Sequence, residues 1–182
     1  MAVEANVYRI LGTHNLIARC HYVSPWRDMI LLQFYDNGNL KQYVEAHGPT
    51  QLRKRAKQMI EAVDFIHSKG VRHSDIRLDQ WLLDSGKNAR LSDFNSSGYD
   101  ECPSLGLPGE KALGNEDPSD FMLRDPAEDS SVRSDLFPLG SALYELEHGR
   151  APNAADDEAD YRTVCATRIP VRVRSDAGTY HH

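Results

Sequence analysis

No stretch of the 182-residue chain is apolar for the twenty or so residues that a bilayer-spanning helix needs, so a membrane bundle is excluded. The first residues, MAVEANVYRI, lack a basic segment followed by an apolar one, so no secretory signal is expected. Cysteine is scarce: Cys20, Cys102 and Cys165 are far apart and odd in number. That argues against a disulfide framework or a zinc site and fits a reducing, cytoplasmic setting. Basic charge is not in excess either. The formal net charge is -6, which speaks against a nucleic-acid-binding face. What is present is 40% hydrophobic and 26% charged residues, an ordinary globular composition. The length suits one domain with a sizeable core.

The hydrophobic periodicity gives a coarse order of elements. Residues 4 to 11 read as a short amphipathic helix, with Val3, Val7, Ile10 and Leu11 on one face and Gly12 as its stop. Two strand-like runs follow, residues 16 to 23 and 29 to 34, and the second is apolar enough to predict burial. Asn37-Gly38 is a turn signal before a short helix over 39 to 46. The clearest helix spans 51 to 67. Thr50 is its expected cap, and Leu52, Ala56, Met59, Ile60, Val63 and Ile66 recur at helical spacing. Short strands are predicted at 71 to 73, 81 to 83 and 89 to 91, the last two joined by the turn Asp84-Ser85-Gly86-Lys87-Asn88. Residues 95 to 130 show little periodicity, and long irregular stretches inside domains are often functional. A last helix over 134 to 148 would be capped by Ser134, with Pro138 near its first turn. Residues 156 to 160 form an acidic run, and the final dozen show no core-facing pattern.

Two acidic positions stand at strand ends, Asp75 in His73-Ser74-Asp75 and Asp93 in Asp93-Phe94-Asn95. The hairpin between them, residues 81 to 91, brings its two ends together, so both carboxylates should face one cleft. Carboxylates so placed suit two tasks, orienting a hydroxyl nucleophile and holding a divalent cation through oxygen. A metal-dependent phosphohydrolase could use the same pair, but its order of elements is less well matched.

From about residue 4 to 150 the sequence resembles the protein kinase family, including a set of fungal kinase-like proteins. HSDIRLDQ, residues 73 to 80, matches the catalytic loop H-R-D-x-x-x-x-N, and DFN, residues 93 to 95, matches D-F-G. SDLFPLGSALYELEHG resembles the central helix of the large lobe, and QFYDNGNL the hinge between lobes. The resemblance implies an α+β fold: a partial small lobe over residues 1–35, a mostly helical partial large lobe over 36–150, and an irregular tail over 151–182. It implies phosphoryl transfer from ATP with magnesium to a protein hydroxyl, with a protein as substrate or partner. Asp75 would orient the hydroxyl, Asp93 would ligate magnesium, and Arg77 would stand where a lysine usually meets the transferred phosphate. Leu32 would lie at the back of the nucleotide pocket, Gln33 and Tyr35 would offer backbone groups to adenine, and Leu82 would pack beneath it. Glu4 would be the regulatory-helix glutamate, and Asp135 would anchor the catalytic-loop backbone. His73 and Phe94 would pack and orient.

Departures from the family pattern bear on activity. The chain has no G-x-G-x-x-G loop and no V-A-I-K lysine, so Glu4 has no such partner within it. Gln80 replaces the asparagine that holds a second metal and is one methylene longer. Asn95 replaces a glycine, though Asn is the next residue most tolerant of positive φ. Ser74 replaces the arginine that in many kinases receives an activation-loop phosphate. These losses favour an impaired kinase or a pseudokinase that binds nucleotide or protein without turnover.

Overall fold

The computed structural model describes residues 2–112 and 129–152. Helix α1, Ala2–Leu11, buries Ala5, Val7, Tyr8 and Leu11, while Val3 and Ile10 pack at the margin of the core. Gly12 closes it at φ 62°, its N–H donating to the Tyr8 carbonyl at 3.0 Å.

The two strands that follow are shorter than their sequence runs. β1, Cys20–Val23, and β2, Ile30–Leu32, form an antiparallel hairpin with a bulge between Cys20 and Tyr22. Residues 16 to 18 leave the hairpin and join the hairpin of the large lobe instead. There Leu91 donates to the Leu16 carbonyl and Ala18 to the Leu91 carbonyl, both at 2.8 Å. The expected burial of 29 to 34 is corrected: Met29, Leu31 and Phe34 are 55%, 58% and 84% exposed. A strand shows alternate side chains to opposite faces, and this two-stranded sheet is covered on one face alone. Ile30 and Leu32 turn inward and Leu31 between them turns out; Cys20 also turns inward, and the bulge after it lets Tyr22, opposite Leu31, turn out.

Helix α2, Leu40–His47, starts at a reciprocal capping box between Asn39 and Gln42. Helix α3, Leu52–Ser68, supplies the large-lobe core through Met59, Ala62, Val63 and Ile66. Ile60 falls off that stripe and is half exposed. Thr50 is not the cap. Gln51 holds the cap position in a left-handed conformation, φ 54°, and makes no side-chain cap bond. The Thr50 carbonyl instead accepts from Arg55 Nη1 at 2.8 Å.

β3, Val71–Arg72, pairs antiparallel with β6, Gly98–Tyr99, across the catalytic segment. Between them β4, Trp81–Leu83, pairs with β5, Ala89–Leu91. Their turn is held by Asp84, which accepts from Asn88 N–H at 2.9 Å and Arg90 Nη2 at 2.6 Å. Trp81 is fully buried, whereas Trp26 at the β1–β2 turn is 85% exposed. The described part of 95 to 130 is ordered rather than structureless: Tyr99 bridges Glu110 and Cys102 bridges Leu107. Gly98 is required there, because a Cβ would come within 2.4 Å of the Ala112 nitrogen. Helix α4, Val132–His148, begins earlier than predicted because Ser131 is its cap, exchanging hydrogen bonds with Ser134. Pro138 is therefore interior to the helix, where it removes a backbone donor. Leu139, Ala142 and Leu146 face the core, and Leu136 faces out. The acidic run at 156 to 160 and the final dozen residues lie outside the described residues.

Candidate active site

The loop of residues 73 to 80 is held from below. Asp135, in the first turn of α4 and fully buried, accepts from His73 N–H and Ser74 N–H, each at 2.8 Å. His67 Nε2, from the last turn of α3, lies 2.8 Å from the same carboxylate. The reading of Asp135 as a backbone anchor thus has its geometry. The His67 contact was not foreseen, since two residues 68 apart show their pairing only in the folded chain. The grip explains the backbone of Ser74, which sits at φ 63°, a conformation most side chains avoid.

His73 is oriented twice. Its Nε2 is 3.0 Å from the Ser92 carbonyl, and Asp75 N–H donates to its Nδ1 at 3.3 Å. The carbonyl can only accept, so the proton is on Nε2. His73 is entirely buried and its ring packs on Phe94 at 5.0 Å. Both therefore pack and orient, as read from the sequence.

Asp75 emerges from this support with its carboxylate between two side chains. Arg77 Nε forms an ion pair with Asp75 Oδ1 at 3.1 Å and also approaches Asp79 at 3.7 Å. Gln80 Nε2 donates to Asp75 Oδ2 at 3.0 Å. Burial pushes the Asp75 carboxyl above the ordinary carboxylate value, against the pull of Arg77 and His73 and with a push from Asp93. A raised folded pKa means stability that is complete below the unfolded value, 3.8, and lost as pH rises. The ionised carboxylate is then a cost to folding at neutral pH. Asp75→Asn should melt higher than the parent at pH 7, with the gap closing as pH falls toward 3.8. Melting curves across that range test it, and a variant less stable at pH 7 would contradict it.

Asp93 also lies in the left-handed region, at φ 62°, and Asn95 Nδ2 donates to its Oδ1 at 2.9 Å. Glu4 reaches this segment from α1. Its carboxyl is raised first by burial and then by Asp93, and is drawn down by the Phe94 backbone N–H that it faces. Phe94 is fully buried between the Tyr8 ring, edge-on at 5.4 Å, and His73. Glu4, Tyr8, Phe94, His73 and Asp135 therefore form one continuous column from α1 to α4.

The hinge is tied by Arg19. Gln33 N–H donates to the Arg19 carbonyl at 2.8 Å, and the buried Tyr35 accepts Arg19 N–H on its hydroxyl at 3.0 Å. Leu32 is half buried beside β1. Leu82, also half buried, bridges Asn39 just beyond the hinge, and Leu83 N–H donates to the Gly38 carbonyl at 2.9 Å. Gln33 and Tyr35 are thus joined through Arg19, while Leu82 lies opposite Asn39. Among the described residues no three His, Cys, Asp or Glu side chains cluster to make a metal cage of their own.

A protein kinase domain family model matches residues 1–177. The chain belongs to the protein kinase family. CBL-interacting protein kinase 3 of Oryza sativa subsp. japonica is 36% identical over 145 residues, 76% of this chain and 32% of that protein. CBL-interacting protein kinase 31 of the same plant is 37% identical over 138 residues, 74% of this chain and 30% of its own. Serine/threonine-protein kinase PDK1 of Cryptococcus neoformans var. grubii is 29% identical over 187 residues, 97% of this chain and 14% of that protein. This kinase chain spans about a third or less of the length of these relatives. Its α+β architecture, with four α-helices and small antiparallel sheets among the described residues, is that of the family.

Proposed function

We propose that the chain carries the catalytic-loop side of a serine/threonine-directed protein kinase. It would bind ATP with magnesium weakly and transfer phosphate poorly or not at all as it stands. A protein hydroxyl is the expected acceptor and the cytoplasm the expected setting. The observation that carries the reading is that Asp75 and Arg77 lie on a loop anchored by the buried Asp135, and that the segment of Asp93 is tied to the same loop through His73 Nε2 and the Ser92 carbonyl. Asp93 suits magnesium, a hard cation that takes one or two carboxylates and completes its shell with phosphate and water. That need for few protein ligands fits a site without a cage of three carboxylates. Held by Asp93, magnesium would supply positive charge against the nucleotide's phosphates, and the terminal phosphoryl group would pass from the nucleoside diphosphate to the acceptor oxygen. Asp75 would hold the acceptor hydroxyl, and Arg77 would place positive charge beside it.

A second reading, a kinase-shaped binding module without turnover, is favoured by two particular contacts. Gln80 directs its amide nitrogen at Asp75, and Asn95 occupies one oxygen of Asp93. Both side chains depart from the family pattern, and both engage the carboxylates that chemistry would use. No helix among the described residues is long and apolar enough to cross a membrane.

Thermal shift separates these readings from a chain that binds no nucleotide. A ligand specific for the folded state raises its stability by about 2.7 kcal/mol at a hundred times its dissociation constant. ATP with magnesium should raise the melting temperature, and Asp93→Asn should abolish the rise. No shift at millimolar nucleotide, or an equal shift in the variant, would count against the site. Phosphate transfer to a generic protein substrate, abolished by Asp75→Ala, would favour the first reading over the second.

A further inference from the structure

A half-open cavity of about 340 Å³ is lined by neither Asp75 nor Asp93. Its walls come from three internal segments: residues 13–19 after α1, residues 33–35 after β2, and residues 84–90 of the β4–β5 hairpin. The start of α1 lies about 15 Å along the helix axis from the first of these walls. α4 supplies no wall. The three segments are fixed to one another by backbone hydrogen bonds. Ala18 N–H donates to the Leu91 carbonyl, Leu91 N–H to the Leu16 carbonyl and Gln33 N–H to the Arg19 carbonyl, each at 2.8 Å. The cavity is therefore formed by the fold itself, before any ligand arrives.

Hydrogen-bond donors are in surplus there. The carboxylate in the wall, Asp84, is already engaged: it accepts from Arg90 Nε at 3.1 Å, from Arg90 Nη2 at 2.6 Å and from Asn88 N–H at 2.9 Å. Arg90 Nη1 has no partner among the described residues, and the Arg19 guanidinium has no ion pair among them. The buried Tyr35 takes Arg19 N–H on its hydroxyl oxygen at 3.0 Å, but its own O–H proton has no acceptor among the described residues. Buried hydroxyls normally find one. His14 Nδ1 accepts Leu16 N–H at 3.3 Å, so the ring proton is on Nε2 and is a further donor. Its ring is held flat on Phe65, centroids 3.7 Å apart. Burial lowers the His14 pKa first, and the positive charges of Arg90 and Lys69 lower it further. The field at the cavity wall is thus positive.

We propose that this cavity binds a phosphate monoester, with Arg19 and Arg90 as its cations and Tyr35 O–H and His14 Nε2–H as its neutral donors. A phosphate monoester carries about two negative charges and three strong acceptor oxygens. That is the complement of a wall with spare donors and a carboxylate already satisfied. Guanidinium groups suit phosphate oxygens in particular, since they present paired donors in a plane. An apolar ligand would leave the donors unpaired, and a cation would meet two guanidinium groups. The open side leaves the organic part of the ester, small or peptidic, in solvent. These are side-chain donors, distinct from the backbone groups that Gln33 and Tyr35 would offer to adenine. The site therefore stands whether or not the chain binds nucleotide.

NMR of the whole chain, without magnesium and at neutral pH, can follow the His14 ring as inorganic phosphate is added. A saturable shift of the His14 signals is expected. Arg19 is exposed, so Arg19→Gln should fold as the parent does while weakening phosphate by about tenfold or more, the loss of a charge-assisted bond. Tyr35→Phe should weaken it by about two- to tenfold, the worth of a neutral one. Arg53→Gln removes the same charge from the N-terminal end of α3, whose other end carries Phe65, and should leave the affinity unchanged. A phosphoserine peptide and its unphosphorylated twin identify the source. Binding of the phosphopeptide tighter than inorganic phosphate assigns the site to a phosphorylated protein, and binding no tighter assigns it to a small phosphate ester. Absence of a saturable His14 shift, a shift that Arg19→Gln leaves as it was, equal losses in Arg19→Gln and Arg53→Gln, or equal binding of the unphosphorylated peptide would each overturn the proposal.

Discussion

Asp135→Ala should cost the chain about 3–5 kcal/mol of folding stability, the range found when one member of a buried charged cluster is removed. The reason is the number of groups left behind. His73 N–H and Ser74 N–H are buried donors whose acceptor is this carboxylate, and His67 loses its partner in the same step. Each orphaned donor carries a desolvation cost of about 1–3 kcal/mol. The left-handed backbone of Ser74 also loses the restraint that offsets its strain. Set against a typical total of about 5–15 kcal/mol, the loss is large enough to unfold a substantial fraction of the chain. Asp135→Asn keeps the shape and one acceptor oxygen, so it should fall between the parent and the alanine variant. Urea denaturation of the three proteins gives the ordering. A cost below about 1 kcal/mol for Asp135→Ala, the size of one ordinary hydrogen bond, would show that the catalytic loop is held by something else.

The parts of this arrangement differ in how plainly the sequence shows them. α3 is legible because 3.6-residue spacing of Met59, Ala62, Val63 and Ile66 has one physical cause, burial of a single helix face. The hairpin of β4 and β5 is legible because the turn Asp84 to Asn88 carries its own hydrogen-bonding side chains. Asp75 and Asp93 are legible as a pair because a hairpin must return the chain to its start. Cap positions are less so. Ser131 and Ser134 are chemically equivalent, and only the backbone they meet decides that Ser131 opens α4. The apolar run of β2 misled for a different reason. Hydrophobicity records what a strand could bury, while burial depends on whether another surface arrives, and on one face of this hairpin none does among the described residues. Long-range polar contacts such as His67 with Asp135, or Ser97 Oγ donating to the His73 carbonyl at 3.1 Å, leave no periodic trace at all.

Phe94→Ala should be comparably damaging, at about 3–5 kcal/mol, but for a reason of shape. Phe94 is 0% exposed and stands between Tyr8 on α1 and His73 on the catalytic loop. Removing its ring leaves a cavity bounded by two elements that belong to different lobes. The large lobe has α3, α4 and Asp135 to keep its side in place. α1 is held by Tyr8 on the ring, by Glu4 on the Phe94 backbone N–H and by Asn6 Nδ2 donating to the Tyr99 hydroxyl at 2.7 Å, and the first two of these run through Phe94. The damage should therefore be uneven. Hydrogen exchange in Phe94→Ala should speed most in α1, with α3 and α4 protected nearly as in the parent once the global loss is subtracted. Phe94→Leu, which refills much of the volume without the aromatic edge, should recover most of the stability. Its residual deficit should be about 0.5–1.5 kcal/mol, the worth of an aromatic pair beyond its area. A double-mutant cycle with Tyr8→Leu isolates that coupling, and additivity of the two changes would remove Phe94 as the link between α1 and the catalytic loop.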